Sequence, residues 1–397
     1  MERKIGEAVL NPAVAAISDS ATLRVSSRAK ELRRVGRKIY DFGAGEPDCD
    51  TPDHIKYAAV KALEAAETKY TPAAGLPALQ AAIAEKLQRD NGLSYLPGQI
   101  VISNGAKHSL FNTFLTIVSP GDEVIIPAPY WLSYPEMVRV AGGVPVFVHG
   151  AEAADFKITA EQLARAITPR TRAVVVNSPS NPVGHVYTRP ELAALAEVAA
   201  ARGLYIVADE IYEKMMYDGA EHVSPASLSP AVCDLTLTVN GFSKAYAMTG
   251  WRLGYVAAPM RVAKAITALQ SHSTSAPNTF AQYGGLEALK ADQGCVATML
   301  AAFAQRRAIL YARLVAMPGV TCVKPMGAFY MLPNIARCGM DSATFAERLL
   351  EEEGVALVPG VAFGADTNVR LSYACSIQNI EEGMDRMAAF VRRHQGS

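Results

Sequence analysis

From residue 100 to residue 257 the chain repeats one alternation: a short apolar run, a polar junction, then an alanine-rich stretch with helical spacing. Residues 100–103, 123–126, 144–148, 173–176, 204–208, 235–239 and 253–257 read as strands, with helices such as 107–118 and 189–201 between them. Strands that alternate with helices predict an α/β fold with a mostly parallel sheet covered on both faces. In such sheets ligands gather beyond the carboxyl ends of the strands. That edge is where candidate chemistry is sought.

After about residue 290 the pattern changes. A helix over 297–316 precedes strand-like pieces at 328–332, 355–358 and 369–373, and a last helix runs over about 380–393, which predicts a smaller α+β domain. Residues up to about 50 lack a parallel-sheet pattern and are expected to pack with that domain. The expected division is 1–50 as an N-terminal arm and part of the small domain, 51–290 as the large domain and 291–397 as the small one. A chain of 397 residues with 50% hydrophobic and 19% charged residues has ample material for both cores.

Charge excludes some functions. Lysine plus arginine equals aspartate plus glutamate, 38 each, so no broad basic field favours a nucleic acid. No apolar run approaches the roughly 18 residues that read as a membrane span. Asn11 and Pro12 interrupt the mildly apolar stretch near the N-terminus, so it does not read as a secretory signal. The cysteines and histidines are scattered without metal-binding spacing, which predicts reduced thiols, a cytoplasmic protein and no metal.

One junction is sharper than the rest. Lys244 follows the apolar run 235–239 in a segment poor in charge, and Arg252 lies eight residues on. A desolvated lysine loses its proton readily and becomes a nucleophile for Schiff-base chemistry. A nearby arginine suits a phosphate. The pair points to a phosphorylated aldehyde, with pyridoxal 5′-phosphate the obvious candidate.

Other polar groups fall at strand ends. Asp209 follows 204–208, with Tyr212 three residues later; a carboxylate there can pair with a pyridinium nitrogen and a phenol can donate to the ring's 3-oxygen, while Asp209 equally suits a helix cap. The stiff loop from Asn177 through Asn181-Pro182 either aims an amide at a ligand or makes an ordinary turn. Gly105 and Ala106 open a helix whose N-terminus favours an anion. Lys107 in that first turn opposes the helix dipole, an anomaly that suggests function. Trp131 either stacks on a flat ring or packs in the core. Arg370, among apolar residues, needs a carboxylate, either from a substrate or from an internal ion pair.

Taken in order, these residues resemble the class I pyridoxal-phosphate-dependent aminotransferases, the aspartate aminotransferase family. The resemblance runs through Gly45-Glu46-Pro47-Asp48, Lys69-Tyr70-Thr71, Pro120 to Val124, the Asn-Pro loop, Asp209 to Tyr212, Ser243-Lys244 to Arg252, and Arg370 to Tyr373. Val183 stands where the loop more often carries threonine or alanine. The resemblance implies the pyridoxal-phosphate transferase fold, with Lys244 as the Schiff-base lysine, Asp209 on the pyridine nitrogen, and Tyr212 and Asn181 on the 3-oxygen. It implies Trp131 stacked on the ring, and Gly105, Ala106, Ser243 and Arg252 on the phosphate. Tyr70 would reach the phosphate of a neighbouring subunit, implying a homodimer with shared sites. Gly45 and Arg370, with Trp131 and Asn181, would take the substrate α-carboxylate. Lys244 would carry the proton between substrate and cofactor, and the amino group would pass through pyridoxamine 5′-phosphate in ping-pong half-reactions.

The resemblance also bears on substrate. A bacterial subgroup uses a lysine at the position of Lys107 for a side-chain carboxylate, helped by a threonine in a Ser-Ala-Thr segment, here Ser20-Ala21-Thr22. Ser273 would add to it from the partner subunit. Aspartate and glutamate are therefore expected as donors, with oxaloacetate and 2-oxoglutarate as acceptors. Aromatic amino acids, kynurenine or prephenate are the alternative; a lysine associated with prephenate activity is replaced here by Ser18. Remoter alternatives are a carbon–sulfur β-lyase and a non-catalytic regulatory domain, the latter without the basic helix pair that DNA binding needs.

Overall fold

A computed structural model describes residues 10–17 and 21–394. Ser18 and Ser20 lie outside the described residues. The large sheet has seven strands: β1 (Ile100–Ser103), β2 (Glu123–Ala128), β3 (Val144–His149), β4 (Thr171–Asn177), β5 (Tyr205–Asp209), β6 (Thr236–Gly241) and β7 (Gly254–Ala257). Their spatial order is β1-β7-β6-β5-β4-β2-β3. Neighbours from β6 to β3 run parallel, and β7 runs antiparallel to both β6 and β1. The mostly parallel α/β sheet expected from the alternation is present.

Several strands extend past the apolar runs into the first polar residue. Asn177 pairs in register with Asp209, and Gly241 with Gly254. Ladder hydrogen bonds are backbone bonds, indifferent to side-chain polarity, so hydropathy places these strand ends too early. The helix Arg189–Ala201 falls where its sequence signals put it. Thr188 and Glu191 form a reciprocal capping box, with the Thr188 N–H donating to Glu191 Oε2 at 2.7 Å. Leu192, Leu195, Ala196 and Ala199 pack from this helix onto Val174, Val176 and Ile206 of the sheet. Burying each such leucine contributes about 1.5–3 kcal/mol relative to exposure.

The strand expectations after residue 290 are met only in part. The 328–332 run narrows to Tyr330–Met331, because Ala328 has φ 58°, a left-handed backbone that cannot continue a strand. The 355–358 run splits between two sheets. Val355–Ala356 pairs in parallel with Tyr40–Asp41, while Val358–Pro359 pairs antiparallel with Val369–Ser372, whose other neighbour is Tyr330–Met331. The helices Gly294–Val315 and Ile377–His394 cover these short sheets. Tyr212, Met215 and Tyr217, from the turn after β5, share their core with Phe303, Phe329, Tyr330 and Leu371. That shared core fixes the turn after β5 against the C-terminal strands.

Candidate active site

A cleft of about 500 Å³ opens beyond the carboxyl ends of the parallel strands. It brings together Gly45, Ala106, Lys107, Trp131, Asn181, Asp209, Tyr212, Ser243, Lys244, Arg252 and Arg370, with Thr22 at its rim. Gly105 lies against the Arg252 guanidinium at the same end. Tyr70 and Ser273 do not line it; Tyr70 is 94% exposed, and Ser273 donates only to the Gln270 carbonyl.

Lys244 sits three residues past β6, in the turns before Arg252. Its Nζ donates to the carbonyl of Gly45 and lies 5.9 Å from the Tyr212 ring centroid and 5.8 Å from that of Phe329. Burial pulls its pKa down to about 8; the Glu46 charge works against that shift, while Arg370 and Arg252 add to it. Glu46 in turn accepts from Thr249 Oγ1 at 2.8 Å.

Asp209 closes β5 and is followed by a turn, so it does not cap a helix. Its Oδ2 accepts from the Tyr134 hydroxyl at 2.6 Å and its Oδ1 from the Ile211 N–H at 3.3 Å. Burial lifts its pKa to about 6, with the Tyr134 and Ile211 hydrogen bonds opposing. Trp131 meets Tyr134 edge-on, with ring centroids 5.2 Å apart.

At one end of the cleft lies Arg370, which is 2% exposed. Its Nη1 donates to Asn181 Oδ1 at 3.1 Å and its Nη2 to the Gly43 carbonyl at 2.9 Å. The guanidinium lies 4.6 Å from the Tyr330 ring centroid and 5.0 Å from that of Phe363. No carboxylate of the described residues pairs with it, so the internal ion pair is absent, and its Nε is buried without a partner. A buried, unpaired guanidinium fits an anionic ligand. The Tyr212 and Tyr330 hydroxyls meet at 2.9 Å, and burial raises the Tyr212 pKa, keeping the phenol protonated as a donor.

At the opposite end, Gly105 has φ 85° and precedes the helix Ala106–Ile117, which has no side-chain cap. A Cβ at Gly105 would lie 2.5 Å from Arg252 Nη2. Arg252 itself has φ 52°, and its Nη1 is held by the Thr249 carbonyl at 2.8 Å. Lys107 is exposed at the mouth, with Nζ 5.0 Å from the Trp131 ring centroid. Partial burial and then Arg252 lower its pKa.

Beneath the turn after β5 lies a buried network. Lys86 pairs with Glu213, Asn91 Nδ2 donates to Glu213 Oε2 at 2.8 Å, and His222 Nε2 lies 3.0 Å from Glu210 Oε2. Burial pushes the Glu213 carboxyl up, but Lys86 and His222 outweigh it and hold it at about 2. Glu210, Glu213 and His222 are close enough to hold a metal ion, yet the Lys86 ammonium already occupies Glu213.

Sequence reasoning missed Tyr134, Tyr330 and the electrostatic part of Glu46. Tyr134, on the helix Ser133–Val140, and Tyr330, on a short strand, read from the sequence as core tyrosines and carry no signal that sets them apart.

The residues fit a phosphorylated pyridine aldehyde: a lysine with a lowered pKa, a buried carboxylate, an uncapped helix start beside an arginine, and an orphaned guanidinium Nε. A fold of this kind with such a cleft defines a class of enzyme that performs Schiff-base chemistry on amino acids. The comparisons narrow the class: residues 37–387 match the family described as aminotransferase class I and II, and the chain belongs to that family. It is 53% identical over 383 residues to the aspartate aminotransferase of Geobacillus stearothermophilus, covering 95% of this chain and 98% of that protein. It is 48% identical over 394 residues to the aspartate/prephenate aminotransferase of Cereibacter sphaeroides, covering 96% and 98%. Among solved structures, aspartate aminotransferase from Thermus thermophilus with maleate superposes with TM-score 0.93 at 48% identity, covering 96% of this chain and all of that one.

Proposed function

We propose that this aminotransferase uses pyridoxal 5′-phosphate to exchange the amino group of aspartate, and of glutamate, with 2-oxoglutarate and oxaloacetate. The observation that carries the reading is Arg370, a buried guanidinium with an unpartnered Nε and no carboxylate, in the same cleft as the Lys244 amine. Lys107, with Nζ 5.0 Å from the Trp131 ring centroid, supplies a second cation for a dicarboxylic substrate. Relatives named aspartate aminotransferase and a neighbour solved with maleate, a four-carbon dicarboxylate, support the same choice.

When bound, the cofactor supplies the aldehyde carbon that takes up the amino group and the electron sink for charge at the substrate α-carbon. The residues of the chain do the rest. Arg370, with Asn181 and Gly45, takes the α-carboxylate, and Lys107 with Thr22 takes the distal one. Trp131 would cover the ring face, Asp209 would pair with the ring nitrogen, Tyr212 and Asn181 would hold the 3-oxygen, and Gly105, Ala106, Ser243 and Arg252 would hold the phosphate. Lys244, its pKa lowered to about 8, takes the α-proton at Nζ from its neutral form.

The sites are proposed to be shared across a homodimer. Tyr57, Val60 and Leu63 lie exposed along the helix Asp53–Glu64, 63%, 47% and 45% respectively, and Tyr70 follows close behind. An apolar face of this kind suits a second copy of the chain. Tyr70 and Ser273 would then act in the partner's cleft. Six free thiols support a cytoplasmic setting, and no described helix is long and apolar enough to cross a membrane. We keep 51–290 as the large domain and 291–397, with the N-terminal arm, as the small one.

The test is a half-reaction screen following cofactor absorbance with aspartate, glutamate, alanine, tyrosine, kynurenine and prephenate as partners. Aspartate and glutamate are expected to convert fastest. Rapid turnover of tyrosine or prephenate with no response to aspartate would overturn the assignment. Release of pyruvate, ammonia and sulfide from cysteine without any oxo acid would mark a lyase instead.

A further inference from the structure

We propose that Tyr134 is the positioning residue that aims Asp209 and keeps it ionised toward the cofactor's ring nitrogen. The inference rests on the pyridoxal-phosphate reading of the cleft and assigns a role to a lining residue to which that reading gives none. Tyr134 is 1% exposed, on the helix Ser133–Val140, and its hydroxyl donates to Asp209 Oδ2 at 2.6 Å. Its ring is held in turn by the edge contact with Trp131, at an interplanar angle of 81°.

The Asp209 carboxylate has few other supports. Its second oxygen accepts only the long 3.3 Å bond from the Ile211 N–H. Lys244 is the cation that favours its ionised form, while the neighbouring Glu210 disfavours it and the Tyr212 phenol interacts with it electrostatically. An ionised oxygen accepts more than one hydrogen bond, so the Tyr134 bond fixes the carboxylate plane and leaves lone pairs free for a ring N–H. A short O–H···O⁻ bond stabilises the charged form over the neutral one. Burial already lifts the carboxyl to about 6 with this donor in place. Without the donor it rises further, and Asp209 becomes neutral at a higher pH.

Tyr134→Phe removes one oxygen and keeps the ring packed against Trp131. Binding of pyridoxamine 5′-phosphate to the cofactor-free full-length protein, which needs no covalent bond to Lys244, is measured by calorimetry from pH 5.5 to 8.5. In the wild type, affinity is expected to hold down to about pH 6 and fall below it. In Tyr134→Phe the fall begins at higher pH, with a loss of about tenfold or more near pH 6.5, the scale of a lost hydrogen bond to a charged group, and a smaller loss at pH 8.5. The ¹⁵N resonance of the bound ring nitrogen is expected to report loss of its proton at lower pH in the variant than in the wild type. An unchanged profile, or a loss equal at every pH, overturns the proposal, since packing alone would act without regard to pH. If the wild type binds no pyridoxamine 5′-phosphate, the cofactor reading itself fails; if it binds and only the Tyr134 profile is unmoved, that reading stands and the role of Tyr134 does not.

Discussion

Arg370 donates from Nη1 to Asn181 Oδ1 at 3.1 Å, joining a C-terminal strand to the proline-rich loop after β4, 189 residues away in the chain. Ala128-Pro129, Ser178-Pro179 and Asn181-Pro182 are all cis, and the loop between the last two presents Asn181 to the guanidinium. The strand and the loop are therefore tied together at the guanidinium.

Arg370→Lys is expected to lower kcat/KM for aspartate by about 10–100-fold, the loss of a charge-assisted, bidentate contact worth about 1.5–3 kcal/mol. Steady-state kinetics with aspartate and 2-oxoglutarate measure it. Both substrates carry an α-carboxylate, so both should suffer; an effect on one alone would place the clamp elsewhere.

Lys107→Ala is expected to cost about tenfold in kcat/KM for aspartate, on the scale of a charged hydrogen bond, while alanine and tyrosine are spared. The ratio of aspartate to alanine turnover is the measurement. If the ratio does not move, the distal carboxylate is bound by another group.

The Lys244 amine should make the cofactor-free protein capture pyridoxal 5′-phosphate faster as pH rises through about 8, because only the neutral amine attacks an aldehyde. Its folded pKa lies below the ordinary lysine value of 10.5, so the unfolded chain binds more protons between those values. Lys244 therefore adds stability as pH climbs from about 8 toward 10.5. Stopped-flow absorbance and melting curves against Lys244→Met report the two effects; flat curves would place the amine in bulk-like solvent.

Mixing Lys244→Ala with a Tyr70 variant of impaired activity should restore turnover if sites are shared. One of the two clefts of a mixed dimer would then carry both defects and the other neither. Activity of the mixture no greater than the average of the parents would mean that each cleft uses only its own chain.

Lys86→Met should destabilise the fold by about 3–5 kcal/mol by stranding a buried carboxylate. Glu213 has a folded pKa of about 2 against the ordinary glutamate value of 4.5. Its contribution is therefore present above about 4.5 and lost as pH falls toward 2. Chemical denaturation at pH 7 and pH 3 should show the gap between wild type and variant closing at the lower pH.

The alternation over residues 100–257 was enough to read the large sheet, because most of its strands are runs of apolar residues and each junction is polar. Lys244, Asp209 and Arg370 were legible for a related reason: a charge at the end of an apolar run has few harmless explanations. The small sheets were not, since strands of two residues leave no period to detect and Ala328 breaks its run by backbone conformation rather than by composition. Tyr134 and Tyr330 escaped because a buried tyrosine in an apolar helix or strand reads as core, and only the partner of its hydroxyl says otherwise.

The meeting of β7 with the helix start also governs what can change. A Cβ on Gly254 would lie 2.3 Å from the Ala106 nitrogen, and one on Gly105 would strike Arg252. Backbone presses on backbone at Gly254, while at Gly105 the Arg252 side chain and a φ of 85° together oppose a larger residue. Lys107, the next residue after Ala106, meets Trp131 through its side chain alone, which can be exchanged singly. The backbone of this corner is thus locked against mutation while the side chain beside it is open to it, so a lineage built on this scaffold can trade substrates without rebuilding its anchor.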